Sequence, residues 1–105
     1  MNITAITQDQ LIIVDGVPAA IAQIGGFRME RGEWAVHFDT ELGIGQIEYL
    51  DIRSNQTLTS KEYEAHYAWL VAKHGEYIDW VHQQELEQEK VAAQAAQEQQ
   101  TEALK

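Results

Sequence analysis

The sequence predicts an α+β fold: a small antiparallel β-sheet of hairpins packed by a C-terminal helix, followed by a long polar helical extension. Three observations carry this. Residues 33–52 (EWAVHFDTELGIGQIEYLDI) alternate apolar and polar side chains around a glycine-bearing loop, the two-residue period of paired strands. Thr59-x-x-Glu62 is a capping box placed just ahead of a helical stripe. From His82 onward glycine, proline and aromatic residues vanish and Gln, Glu and Ala dominate, all strong helix formers.

In chain order, residues 10–14 (QLIIV) form an apolar, β-branched run followed at once by Asp15-Gly16. An Asp-Gly pair between apolar runs suits a tight hairpin turn, whose two central residues need positive φ. The return segment 17–21 contains Pro18, which has no amide for a ladder and so belongs at a sheet edge or strand start. Gly25-Gly26 then breaks the chain, residues 27–31 read as a further brief strand, and Arg31-Gly32 as a turn. Next, Trp34, Val36 and Phe38 share one strand face, and Glu33, Ala35 and His37 the other. Residues 39–45 (DTELGIG) supply the loop. In the return strand Ile47 and Tyr49 share a face, opposite Glu48, Leu50 and Ile52, and residues 53–56 are a polar turn. Trp34, Phe38 and Tyr49 are expected in the core between sheet and helix.

The helix start is doubly marked. The Thr59 hydroxyl can take the Glu62 amide while Glu62 reaches back to the Thr59 amide, and Leu58 and Tyr63 occupy the positions of a hydrophobic staple. Tyr63, Tyr67, Leu70, Val71 and His74 then recur as one helical stripe. Gly75 leaves two readings. It ends the helix, with a restart at Glu76, or it sits inside one continuous helix at a cost of about 1 kcal/mol. The apolar cluster Tyr77, Ile78, Trp80 and Val81 favours a break or kink. Residues 82–105 would make a rod of about 36 Å if helical. Their large apolar residues are only Leu86, Val91 and Leu104, too few for a heptad seam. The chain therefore divides into a compact domain, residues 1–81, and an extension, residues 82–105. That extension is either a helix completed by a partner or sister copies, or a partly disordered tail.

Charge narrows the function. The net charge is −10. Residues 1–58 carry eight acids against three bases, residues 59–75 two of each, and residues 76–105 seven acids against two bases. None of these segments is basic enough to follow a phosphate backbone or dock on anionic lipid. No cysteine is present, which removes disulfides and thiolate metal ligands. The first ten residues resemble no secretory signal, and a soluble protein made in the cytoplasm is expected.

No catalytic, cofactor-binding or metal constellation stands out. His66, His74 and His82 are eight residues apart, too far for neighbours on one helix to share an ion. Glu62 with His66, and Asp79 with His82, have the spacing of ordinary helix-surface pairs. Gly43-x-Gly45 lacks the third glycine and the following helix of a dinucleotide fingerprint, so it reads as a hairpin loop. The aromatic residues are the remaining clue. Tyr63, Tyr67, Trp69, Tyr77 and Trp80 crowd into 18 residues, more than one helix face buries within a small domain. Tyrosine and tryptophan are enriched in interface hot spots. Trp69, Tyr77, Trp80, Leu86 and Val91 are thus the candidate protein-contact residues.

The order VDGV (14–17), GEWAVHF (32–38), GQIEY (45–49) and a Tyr/Trp-bearing helix resembles small proteins encoded in the tail gene clusters of tailed bacteriophages and prophages, over roughly residues 10–80. The resemblance implies a non-enzymatic role as a tail or tail-fibre-associated structural component, or as an assembly chaperone for one. On this reading the partner is a phage tail or tail-fibre protein, further copies of the chain, or both, with no nucleic acid and no membrane, and the location is the host cytoplasm during assembly or the virion tail. The other reading is a small acidic phage-encoded inhibitor or regulator of a host protein.

Overall fold

Six strands form one antiparallel sheet in the computed structural model, which describes the backbone of residues 1–103 and the side chains of residues 1–96. The elements run β1 (Asn2–Ile6), β2 (Leu11–Val14), β3 (Val17–Ala20), a single 3-10 turn (Ile21–Ile24), β4 (Glu33–Asp39), β5 (Ile44–Tyr49), β6 (Gln56–Thr59), α1 (Ser60–His66) and α2 (Trp69–Ala103). The sheet order is β3-β2-β1-β4-β5-β6. The α+β architecture is therefore as expected, with both helices on one face of the sheet.

The register follows from turn chemistry. Asp15 and Gly16 adopt φ of 49° and 80°, the paired positive values of a two-residue hairpin turn. Pro18 pairs with Ile13 on β3, which is an edge strand, so its missing amide faces no neighbour. Pairing then sets one buried row across the sheet: Ala19, Ile12 and Ala5 on three strands, continued by Val36 and Ile47 on two more. Tyr63, Tyr67 and Leu70 close over these residues from the helices. The Phe38 and Tyr63 rings stack at 4.2 Å with planes 8° apart, a geometry worth about 0.5–1.5 kcal/mol beyond area burial. Gly45 lies opposite Phe38, and a Cβ there would strike the His37 carbonyl oxygen. Gly43 takes φ of 69° in the turn. Both glycines of the GxG stretch are thus structural.

Several expectations are corrected. Residues 27–31 form no strand. Two strands join the sheet where none was foreseen: β1 at the N-terminus and β6 in the segment read as a turn and helix cap. The return strand stops at Tyr49, leaving Leu50 and Ile52 exposed in a loop. A bulge separates the Glu33–Tyr49 and Ala35–Glu48 pairs. Inserting one residue reverses the alternation, so Glu33, not Trp34, joins Val36 and Phe38 on the helix-facing side. Trp34 is half-buried and outside the core. Tyr49 packs on the core as expected.

The Thr59 cap forms, with its hydroxyl accepting the Glu62 amide at 3.3 Å. The return contact differs: Glu62 Oε1 receives the Thr59 hydroxyl, not its amide. The helical interruption falls at Tyr67–Ala68, not Gly75. There the Leu70 amide bonds the Tyr67 carbonyl at 3.0 Å, and the Trp69 indole N–H donates to the His66 carbonyl at 2.8 Å. An aromatic side chain thus takes over a carbonyl that a continuous helix would give to a backbone amide. Helix α2 runs unbroken through Gly75. The apolar cluster that argued for a kink is accommodated because Tyr77 packs onto the core while Ile78 stays partly exposed.

A Cβ at Gly75 meets nothing within 4 Å outside its own helix. Gly75→Ala should therefore raise stability by about 1 kcal/mol through helix propensity and unfolded-state entropy. The denaturant midpoint should rise with m unchanged; a helix that broke at Gly75 would show the opposite sign.

Candidate protein-contact surface

Helix α2 presents the expected contact residues, and its first two turns fix how. Leu70 and His74 face the sheet and are buried. His74 Nε2–H donates to the Val17 carbonyl on edge strand β3 at 2.8 Å, tying the helix to the far side of the sheet. Residues 82–96 are exposed throughout. From His82 to Ala103 the helix extends about 33 Å at 1.5 Å per residue.

Four of the five candidates fall along one side. Trp69, Trp80 and Val91 are eleven residues apart, about three turns each, so they make one ridge. Tyr77 sits about 60° round from it toward the buried stripe. Its ring lies 6.0 Å from that of Trp80, so the ridge is continuous with the core. Trp69 is 37 % exposed and Val91 66 %. Leu86, 44 % exposed, points about 120° away from the ridge and does not join it. Leu104 lies outside the described residues. Across residues 76–96, five acids (Glu76, Asp79, Glu85, Glu87 and Glu89) face one base, Lys90. The ridge is thus a sparse apolar line on a negative rod.

At the root of the ridge lies an arrangement that the sequence reading missed. Glu33 is only 3 % exposed. Its Oε2 accepts the Tyr67 hydroxyl at 2.9 Å and its Oε1 accepts the Arg31 amide at 2.6 Å. Burial, reinforced by the hydrogen bond to Glu33, raises the Tyr67 hydroxyl well above the ordinary phenol range. Tyr63 is also raised, chiefly by burial. The Arg31 guanidinium reaches His66 Nε2 at 3.0 Å, so His66 pairs across the fold and not with Glu62. Arg53 closes the corner. It donates to the Arg31 carbonyl at 2.8 Å, lies 4.0 Å from the Tyr49 ring centroid and pairs with Asp51. The Arg53 hydrogen bonds hold the Asp51 carboxyl below its usual range. The only sequence signal for this cluster was an acid at the start of an apolar strand, and the bulge that turns it inward has no sequence marker.

Among the described residues, no group of three or more His, Asp or Glu is arranged to hold a metal ion. Among the described residues, no helix is long and apolar enough to cross a membrane. Comparison with family models, with curated proteins and with solved structures finds no match to this chain.

The Tyr67 hydroxyl sets an alkaline limit. A group whose folded pKa is raised contributes its stability in full below the unfolded value, about 10 for tyrosine. That contribution is lost as pH rises beyond it toward the folded value. Thermal or denaturant midpoints should hold between pH 7 and 9 and fall above about pH 10. The tyrosinate absorbance of Tyr67, read as the difference between the protein and Tyr67→Phe, should appear in step with unfolding.

Proposed function

We propose that this chain is a non-enzymatic protein–protein interaction module that serves as a phage tail or tail-fibre-associated structural or assembly protein. The observation that carries the interaction reading is helix α2. Its first turns are anchored in the core, residues 82–96 lie exposed, and the Trp69–Trp80–Val91 ridge runs from the anchored part onto the exposed part. An isolated helix of that length frays in water unless something packs on it. The phage setting rests on the sequence resemblance over residues 10–80. A small acidic inhibitor of a host protein is the second reading. It is favoured by the five acids against one base along residues 76–96, a surface suited to a basic site.

Light scattering on the full chain and on a chain ending at His82 tests the first reading, because residues 83–96 lie exposed and their removal spares the core. The full chain is expected to assemble, or to form a stable complex with a tail or tail-fibre protein, and the shortened chain to do neither. A strictly monomeric full chain that captures no tail component contradicts the reading. Binding to a host protein that weakens steeply with salt supports the inhibitor instead.

A further inference from the structure

We propose that the cleft between the 27–31 segment and the α1–α2 junction binds the C-terminal carboxylate of a peptide ending in an apolar residue. The cleft has a volume of about 580 Å³, within the range of ligand sites and larger than one apolar side chain fills. Phe27, Met29 and Trp69 form its apolar wall, and Arg28 and Arg31 supply the cationic groups.

Arg31 is the central observation. It is exposed, yet it is held at three points: its amide by Glu33 Oε1 at 2.6 Å, its carbonyl by Arg53 at 2.8 Å and its guanidinium by His66 at 3.0 Å. A free surface arginine retains most of its rotamer entropy, so ordering its fork in advance lowers the cost of binding an anion. The chain has 17 acids against seven Lys and Arg. Even so, among the described residues neither Arg28 nor Arg31 has a carboxylate within 4.0 Å, whereas Arg53 and Lys73 do. Glu33 pairs with neither guanidinium: its two oxygens accept the Arg31 amide and the Tyr67 hydroxyl. The wall is fixed too: the Trp69 indole is tied to the His66 carbonyl and its ring lies 6.2 Å from that of Phe27.

The anion should carry a single charge. Glu30 and Glu33 also line the cleft, and the chain's net charge of −10 opposes a dianion about twice as strongly as a monoanion. A planar carboxylate matches the guanidinium fork, and the apolar wall suits the last side chain. One side opens to solvent, leaving room for the rest of the peptide.

The test titrates the full chain with an acetylated tripeptide ending in phenylalanine, with the amide of the same peptide, with 3-phenylpropionate and with inorganic phosphate. The Trp69 indole N–H resonance, assigned by Trp69→Phe, is the readout. The free-acid peptide is expected to shift it saturably, with the amide and Arg31→Gln each weakening binding about tenfold or more. Arg31→Lys, which keeps the charge but loses the fork, should fall between. Equal binding of acid and amide, or no shift at about 10 mM peptide, overturns the proposal. So does phosphate competing as well as the peptide, or 3-phenylpropionate binding as tightly as the peptide does.

Discussion

The hydrogen bond from the Tyr67 hydroxyl to Glu33 Oε2, 2.9 Å long and buried, is the interaction on which the rest of the structure depends. It joins the start of β4 to the junction of α1 and α2, and both partners are where the chain departs from regular geometry. The bulge after Glu33 turns that carboxyl inward, and beyond the interruption at Tyr67–Ala68 helix α2 packs on β1, β2 and β3. Tyr67 supplies one of the two donors to the buried Glu33 carboxyl, the Arg31 amide being the other. Leaving an oxygen of a buried polar group without its partner costs about 1–3 kcal/mol, so the two irregularities are coupled. Without the bulge there is no inward acid, and Tyr67, at the end of α1, meets it.

From that point the molecule divides into a held body and an exposed arm. The sheet's inner face is covered by Tyr63, Tyr67 and Leu70, and His74 locks the helix to β3. Everything α2 carries beyond Val81 lies in solvent through Ala96. The arm's direction is therefore set by contacts made in its first two turns. The same corner positions Trp69 and Arg31, so the base of the exposed ridge and the arginine-lined cleft share one scaffold.

Local chemistry made part of this legible in the sequence. Asp15-Gly16 specified a hairpin because positive φ at two successive positions favours those residues, and Pro18 specified an edge. Thr59 and Glu62 marked the helix start because orphan amides need acceptors there. The 33–52 hairpin and the acidic, helical extension were likewise visible. What was not legible depends on tertiary partners. β1 and β6 are short, and β6 (QTLT) has only Leu58 to bury, so both pair because a neighbouring strand is available. The bulge reversed the expected roles of Glu33 and Trp34, since strict alternation assumes an uninterrupted ladder. Gly75 and the apolar cluster after it suggested a break, but the interruption falls at Tyr67–Ala68, where the Trp69 indole takes the His66 carbonyl. Of the candidate contact residues, helical phase lines up Trp69, Trp80 and Val91 with Tyr77 beside them and puts Leu86 on another side. Arg31, His66 and Phe27 converge through folding alone and leave no spacing pattern to read.

Glu33 and Tyr67 act as one unit. A double-mutant cycle on Glu33→Gln and Tyr67→Phe, read by denaturant unfolding of the full chain, tests it most directly. The coupling free energy is expected to be about 1.5 kcal/mol or more, as for a buried hydrogen bond to a charged group. Single-mutant losses that simply add, within about 0.3 kcal/mol, would contradict it.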